Sequence, residues 1–122
     1  MEFKSDKPIY RQIVDYAFAQ VLSGAWPAGE RVPSVRELAA EMAVNSHTVL
    51  KAFDYLTDLG VIASRRGMGY YLQPDAAAVV MAEQRRTFYS TTLEEVFDMM
   101  DMLGVTIEDI DRHYREHRDK QL

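Results

Sequence analysis

The sequence contains no cysteine, which excludes disulfides and thiolate metal sites and leaves nothing that points to an oxidising compartment. No apolar run approaches the roughly 20 residues that a membrane span needs. Met1-Glu2-Phe3-Lys4-Ser5-Asp6 lacks the shape of a secretion signal. The expectation is a cytoplasmic chain with no membrane partner. Reactive constellations are missing too: there is no Gly-rich phosphate loop, no nucleophile motif and no paired-carboxylate signature, so no catalytic residue and no cofactor is expected. His113 and His117 stand at i, i+4, a spacing that can set two imidazoles on one helix face. No third ligand in a recognisable motif joins them, and no metal is expected.

What the chain does have is 122 residues with 48% hydrophobic content, enough for one compact domain with a small appendage. Its organising stretch is 44–60. Val49, Ala52, Phe53, Leu56 and Leu59 recur at helical spacing and lay one apolar stripe along an amphipathic helix. Asn45 precedes the stripe as an N-cap, and Gly60 follows it where a left-handed cap needs no Cβ. With the stripe buried, Ser46, His47, Leu50, Lys51 and Asp54 are left on the opposite face, a short mixed edge that could enter a DNA groove.

Upstream, Ser34 and Glu37 make a Ser-x-x-Glu capping box, with Val35, Leu38, Ala39 and Met42 on the buried side of a second helix. Downstream, Arg65-Arg66-Gly67-Met68-Gly69 reads as the tip of a two-stranded hairpin. Its glycines stand where a tight turn needs positive φ or where backbone closely approaches a partner. Helix, tight turn, helix and basic hairpin in that order read as a winged helix-turn-helix, a mainly α fold with a small β-wing. Glu30-Arg31-Val32 can add a third, very short strand beside the wing.

The run from Gly29 to Leu72 resembles the DNA-binding domain of GntR-type bacterial transcription regulators. The matching residues are Pro33-Ser34, then Arg36-Glu37-Leu38-Ala39, then Val44 with Thr48-Val49, Leu56 with Gly60, and the wing glycines Gly67 and Gly69. With the leading Pro8-Ile9-Tyr10-Arg11-Gln12-Ile13 the likeness covers roughly residues 8–72. The short tail resembles that of the YtrA subfamily, whose members carry only a small helical dimerisation region. The resemblance implies a double-stranded DNA operator as partner, Arg36 in contact with DNA, and Arg11 near its backbone.

The residues themselves point the same way. Arg36 sits in a first helical turn, where the helix dipole disfavours a cation and an outside phosphate would rationalise one. Asn45, Ser46, His47 and Thr48 are short donors and acceptors for phosphate or bases, and Thr48 could equally complete the cap. Leu50 suits a thymine methyl and Lys51 a phosphate. Arg65, Arg66, Gly67 and Gly69 form a tip able to lie along the minor groove. Many members of the family carry arginines where this chain has Ser46 and Leu50, which puts guanine readout from this helix in doubt. An operator richer in A·T steps, or one read partly by shape, is expected.

Net charge is −5, which at first sight suits a polyanion badly. The excess lies in the tail: up to Pro74 eight basic residues meet eight acidic ones, whereas six meet eleven beyond it. A neutral domain can still grip phosphate when its few cations share a face.

The first helix is scaffold. Ser5-Asp6 with Pro8 inside the first turn starts it, and Tyr10, Ile13, Val14, Ala17, Val21 and Leu22 carry its spacing to Gly24. Tyr16 and Phe18 are expected to pack, and Trp26 to wedge against the core. After Gln73-Pro74-Asp75 the character changes, which divides the chain into a winged domain, 1–74, and a two-helix tail, 75–122. The first tail helix runs from Ala76 through Phe88 and Tyr89, weakens at Ser90-Thr91-Thr92, and resumes its stripe with Leu93, Val96, Phe97, Met100 and Leu103, one long helix that could bend near Ser90. A last helix from Thr106 presents Ile107, Ile110 and Tyr114.

Two such helices cannot bury this face between themselves. A second copy of the chain is the economical cover, since a two-fold dimer presents paired reading helices to a two-fold operator, although docking onto the winged domain is the other answer. The expected function is therefore a homodimeric repressor. The alternative is a winged module that recruits a protein partner without specific DNA binding. Related regulators with an appended pyridoxal-phosphate aminotransferase domain would need far more chain than the tail supplies. Any small-molecule effector would have to bind at the dimer interface or between tail and wing.

Overall fold

Burial of the central apolar stripe organises the N-terminal part of the molecule. The computed structural model describes Phe3 and residues 6–122. The stripe folds as α3 (Ser46–Leu59), whose Val49, Ala52, Phe53 and Leu56 are buried. They pack with Ile13, Val14, Ala17, Phe18 and Val21 of α1 (Ile9–Ser23) and with Leu38, Ala39 and Met42 of α2 (Val35–Met42). Trp26 closes one side, edge-on to Tyr16 at 6.3 Å between ring centroids.

The wing is an antiparallel pair, β1 (Ile62–Arg65) and β2 (Gly69–Leu72), in the register Ile62↔Leu72 to Arg65↔Gly69. Ile62 and Leu72 enter the same core, and Tyr70 meets Phe53 edge-on at 5.0 Å, tying the wing to α3. The expected third strand is a single bridge, Arg31↔Tyr71. Around it the Val32 N–H donates to the Tyr70 carbonyl at 3.0 Å and the Leu72 N–H to the Glu30 carbonyl at 2.9 Å.

Some local expectations are corrected. Pro8 is the N-cap of α1 and not a residue of its first turn, with no side-chain cap bond to the helix; Ser5 lies outside the described residues. Leu22 is exposed, because Val21 and not its neighbour faces the core, and Val35 is only half-buried.

Two compact units are present, the first ending at Glu83 and the second spanning Gln84–Leu122. The first extends past the composition change at Pro74 because Ala76 and Val80, on α4 (Ala76–Thr87), are both fully buried in its core. Helical structure continues through a π-helical turn, Phe88–Thr92, into α5 (Leu93–Leu103). The irregular turn falls on Ser90-Thr91-Thr92, residues of weak helix propensity, where the first tail helix was expected to weaken. In the second unit Phe88, Phe97, Leu103, Ile107, Ile110 and Tyr114 are exposed, and Leu93, Val96 and Met100 are half-buried.

α6 (Ile107–Lys120) opens with a reciprocal cap: the Thr106 N–H donates to Asp109 Oδ2 at 3.0 Å and the Asp109 N–H to the Thr106 hydroxyl at 3.2 Å. The Thr106 backbone N–H first, then its hydroxyl and Arg112, hold the Asp109 carboxyl below its ordinary range. This capping is therefore complete above that range and fades as pH falls through the lowered value. Among the described residues no helix is long and apolar enough to cross a membrane.

The turn joining α2 to α3 holds one non-glycine residue in the left-handed region, Ala43 at φ 56°. Its Cβ is strained there. Ala43→Gly should stabilise the protein by about 0.5–1 kcal/mol despite the added freedom of the unfolded chain, read as a rise in Tm on thermal unfolding.

Candidate nucleic-acid interface

α3 is held at its N-terminus by Asn45, whose Oδ1 accepts the His47 N–H at 2.7 Å. The cap fixes the first turn and leaves Ser46, His47, Leu50, Lys51 and Asp54 exposed, with Thr48 half-buried. α2 begins with the predicted box: Ser34 Oγ accepts the Glu37 N–H at 3.0 Å, while Glu37 Oε1 accepts the Ser34 N–H at 3.4 Å. Arg36 follows in that first turn, exposed and without an ion pair among the described residues.

The N-terminal end of α1 joins this surface by two crossed contacts. Lys51 Nζ lies 4.2 Å from the ring centroid of Tyr10, and the Arg11 guanidinium carbon lies 4.4 Å from that of Tyr55. Lys51 and Tyr55 are i, i+4 on α3, so one flank of that helix carries both pairs. Arg11, Lys51 and the outer residues of α3 are thus brought to one edge.

At the wing, Met68 closes the turn, donating its N–H to the Arg65 carbonyl at 2.9 Å. Gly67 at φ 73° has open space around it, so its requirement is conformational. Gly69 at φ 91° has a second reason: a Cβ there would come within 3.0 Å of Arg31 Nε. Arg65 is stacked over Tyr71 at 3.8 Å, and Arg66 is exposed at the tip.

Sequence reasoning gave no site role to Arg31. Its guanidinium covers Gly69 and reaches Glu37 at 3.8 Å, so it bridges the wing and the start of α2. The bridge and strand at Arg31 were foreseeable from its place before Val32; the approach to Gly69 was not, because the two are far apart in sequence. Among the described residues no cluster of three or more His or acidic side chains could hold a metal ion.

Comparison with known proteins places this geometry. The family described as bacterial regulatory proteins, gntR family, matches residues 9–72. YhcF of Bacillus subtilis, an HTH-type transcriptional regulator, is 33% identical over 109 residues, which cover 89% of this chain and 88% of that one. The HTH-type transcriptional repressor YtrA of the same organism is 32% identical over 113 residues, 93% of this chain and 86% of that one. A solved GntR family transcriptional regulator from Listeria monocytogenes superposes with a TM-score of 0.75 at 32% identity, covering 93% of this chain and 98% of its own.

The cap is the cheapest part of the interface to test. Asn45→Ala should cost about 1 kcal/mol and Asn45→Asp close to nothing, as measured by chemical denaturation. A loss with Asp equal to that with Ala would mean the cap oxygen is not what the position supplies.

Proposed function

The chain belongs to the gntR family of bacterial regulatory proteins and is a DNA-binding transcription regulator, not an enzyme; from that premise we propose that it acts as a cytoplasmic homodimeric repressor on a palindromic operator. The observation that carries the DNA-facing assignment is the outer edge of α3. Its stripe is spent on the core, its first turn is capped, and what remains outward is a short polar edge flanked by Arg11 and Lys51.

In this reading residues 45–51 enter the major groove, where a helix fits and base edges are distinguishable. Ser34 and Arg36 meet phosphate at the start of α2. Arg65, Arg66, Gly67 and Gly69 lie along the neighbouring minor groove or backbone. Asp54 and Asp58 stand on the outer side of α3 beyond its second turn, so only the first two turns suit a polyanion. Ser46 and Leu50 leave the helix without a guanine-reading arginine, which favours A·T-rich half-sites and readout of shape.

The homodimer draws its support from the second unit. Phe97 and Leu103 on α5 and Ile107 and Tyr114 on α6 are exposed, and a second copy would cover them. The repressor role draws on the likeness to YtrA. In this reading the role changes from reading DNA in the first unit to pairing in the second, Gln84–Leu122.

Binding to a duplex from the chain's own upstream region, followed by fluorescence anisotropy over a salt series, tests the assignment. Arg36→Ala and Lys51→Ala should weaken binding to every sequence and flatten the salt slope by about one each. His47→Ala and Leu50→Ala should instead change which base pairs are preferred. Base preference altered by the first pair and not by the second would reverse the roles. Phe97→Glu with Leu103→Glu should give monomers by sedimentation and weaken operator binding; an unaltered protein that sediments as a monomer at working concentration rules the dimer out.

A further inference from the structure

Five cations of the winged unit divide into two classes by what holds them. Lys7 is paired with Asp15 at 2.7 Å and Arg31 with Glu37 at 3.8 Å, so a carboxylate offsets each. Lys51, Arg11 and Arg65 are held by rings: Tyr10 at 4.2 Å, Tyr55 at 4.4 Å and Tyr71 at 3.8 Å. None of these three makes an ion pair among the described residues.

The distinction matters for a polyanion. A carboxylate orients a cation by cancelling it. An aromatic face orients it through the ring quadrupole, which carries no net charge, so the positive charge stays available. A free lysine or arginine must surrender its rotamers when it meets phosphate, and one already seated has lost them beforehand. The crossed arrangement adds economy: α1 lends Tyr10 and Arg11, and α3 lends Lys51 and Tyr55 one turn apart, so each helix seats the other's cation.

We propose that Tyr10, Tyr55 and Tyr71 are positioning residues for DNA binding, whose rings hold Lys51, Arg11 and Arg65 ready for phosphate with their charge intact. The proposal rests on the DNA-binding reading above. It assigns the tyrosines a role through the cations, not a contact of their own.

A double-mutant cycle tests it, using Tyr10→Leu and Tyr10→Phe, each alone and with Lys51→Ala, on the same duplex across a salt series. Leucine keeps apolar bulk where Tyr10 rests partly buried on the core. Tyr10→Phe should bind within about twofold of the unaltered chain, and Tyr10→Leu roughly three- to fivefold more weakly, the range expected for one side chain that must be ordered anew. Its salt slope should stay unchanged, because the phosphate contact still forms, and in the Lys51→Ala background Tyr10→Leu should add nothing.

A Tyr10→Leu loss that persists without Lys51, or a Tyr10→Phe loss as large as that of leucine, overturns the proposal. In the DNA-free protein, the Lys51 ε-methylene protons should resonate upfield from ring current, and Tyr10→Leu should abolish the shift. A protein that binds selectively but shows no such shift sinks only the positioning role. One that shows the shift but binds no duplex selectively sinks the DNA reading, and this role with it. Should Tyr10→Leu not fold, the same cycle with Tyr71→Leu and Arg65→Ala in the wing decides.

Discussion

Everything in the winged unit depends on burying one side of α3. Phe53 is fully enclosed, with Val49, Ala52 and Leu56 beside it, and α1, α2 and the wing each owe their position to those side chains. Truncating a phenylalanine in such a place costs about 3–5 kcal/mol, a large share of what holds a small domain folded. Because that side of the helix is committed inward, the other is presented outward by default. The face that packs and the face left outward are a single constraint seen from two sides.

That constraint also fixes what accompanies α3. Tyr70 against Phe53 anchors the hairpin, and Arg31 over Gly69 joins the hairpin to the first turn of α2. Tyr10 and Tyr55 do the same between α1 and α3. The outer edge therefore comes with its flanking cations already seated. A stretch with as many acids as bases up to Pro74 can act on a polyanion because its charges are sorted, some offset by carboxylates and others supported by rings.

The second unit follows different physics. α6 is stabilised locally, by its Thr106–Asp109 cap and by ion pairs such as Arg115 with Asp111 at 3.1 Å. Exposed pairs of this kind contribute little each. The helices carry more apolar surface than they bury, and such surface is stable in water only when something covers it.

Much was legible beforehand because it is local. Asn45, Gly60, Ser34 with Glu37, and Thr106 mark helix ends through bonds reaching no further than a few residues, and the stripe of α3 is a matter of periodicity within one segment. The sequence by itself therefore determined the order of the helices and the hairpin, the caps of α2 and α3, and the buried stripe of α3 with the residues it leaves outward. What only the tertiary structure decided was contact between segments distant along the chain. Val80 joins the first core beyond Pro74, Gly69 lies under Arg31, and Tyr10, Tyr55 and Tyr71 serve as seats for Lys51, Arg11 and Arg65. Periodicity says which side of a helix turns inward. It carries no record of which side chain on another element will lie across from it, since that follows from how the helices and strands cross once their apolar faces have been buried together.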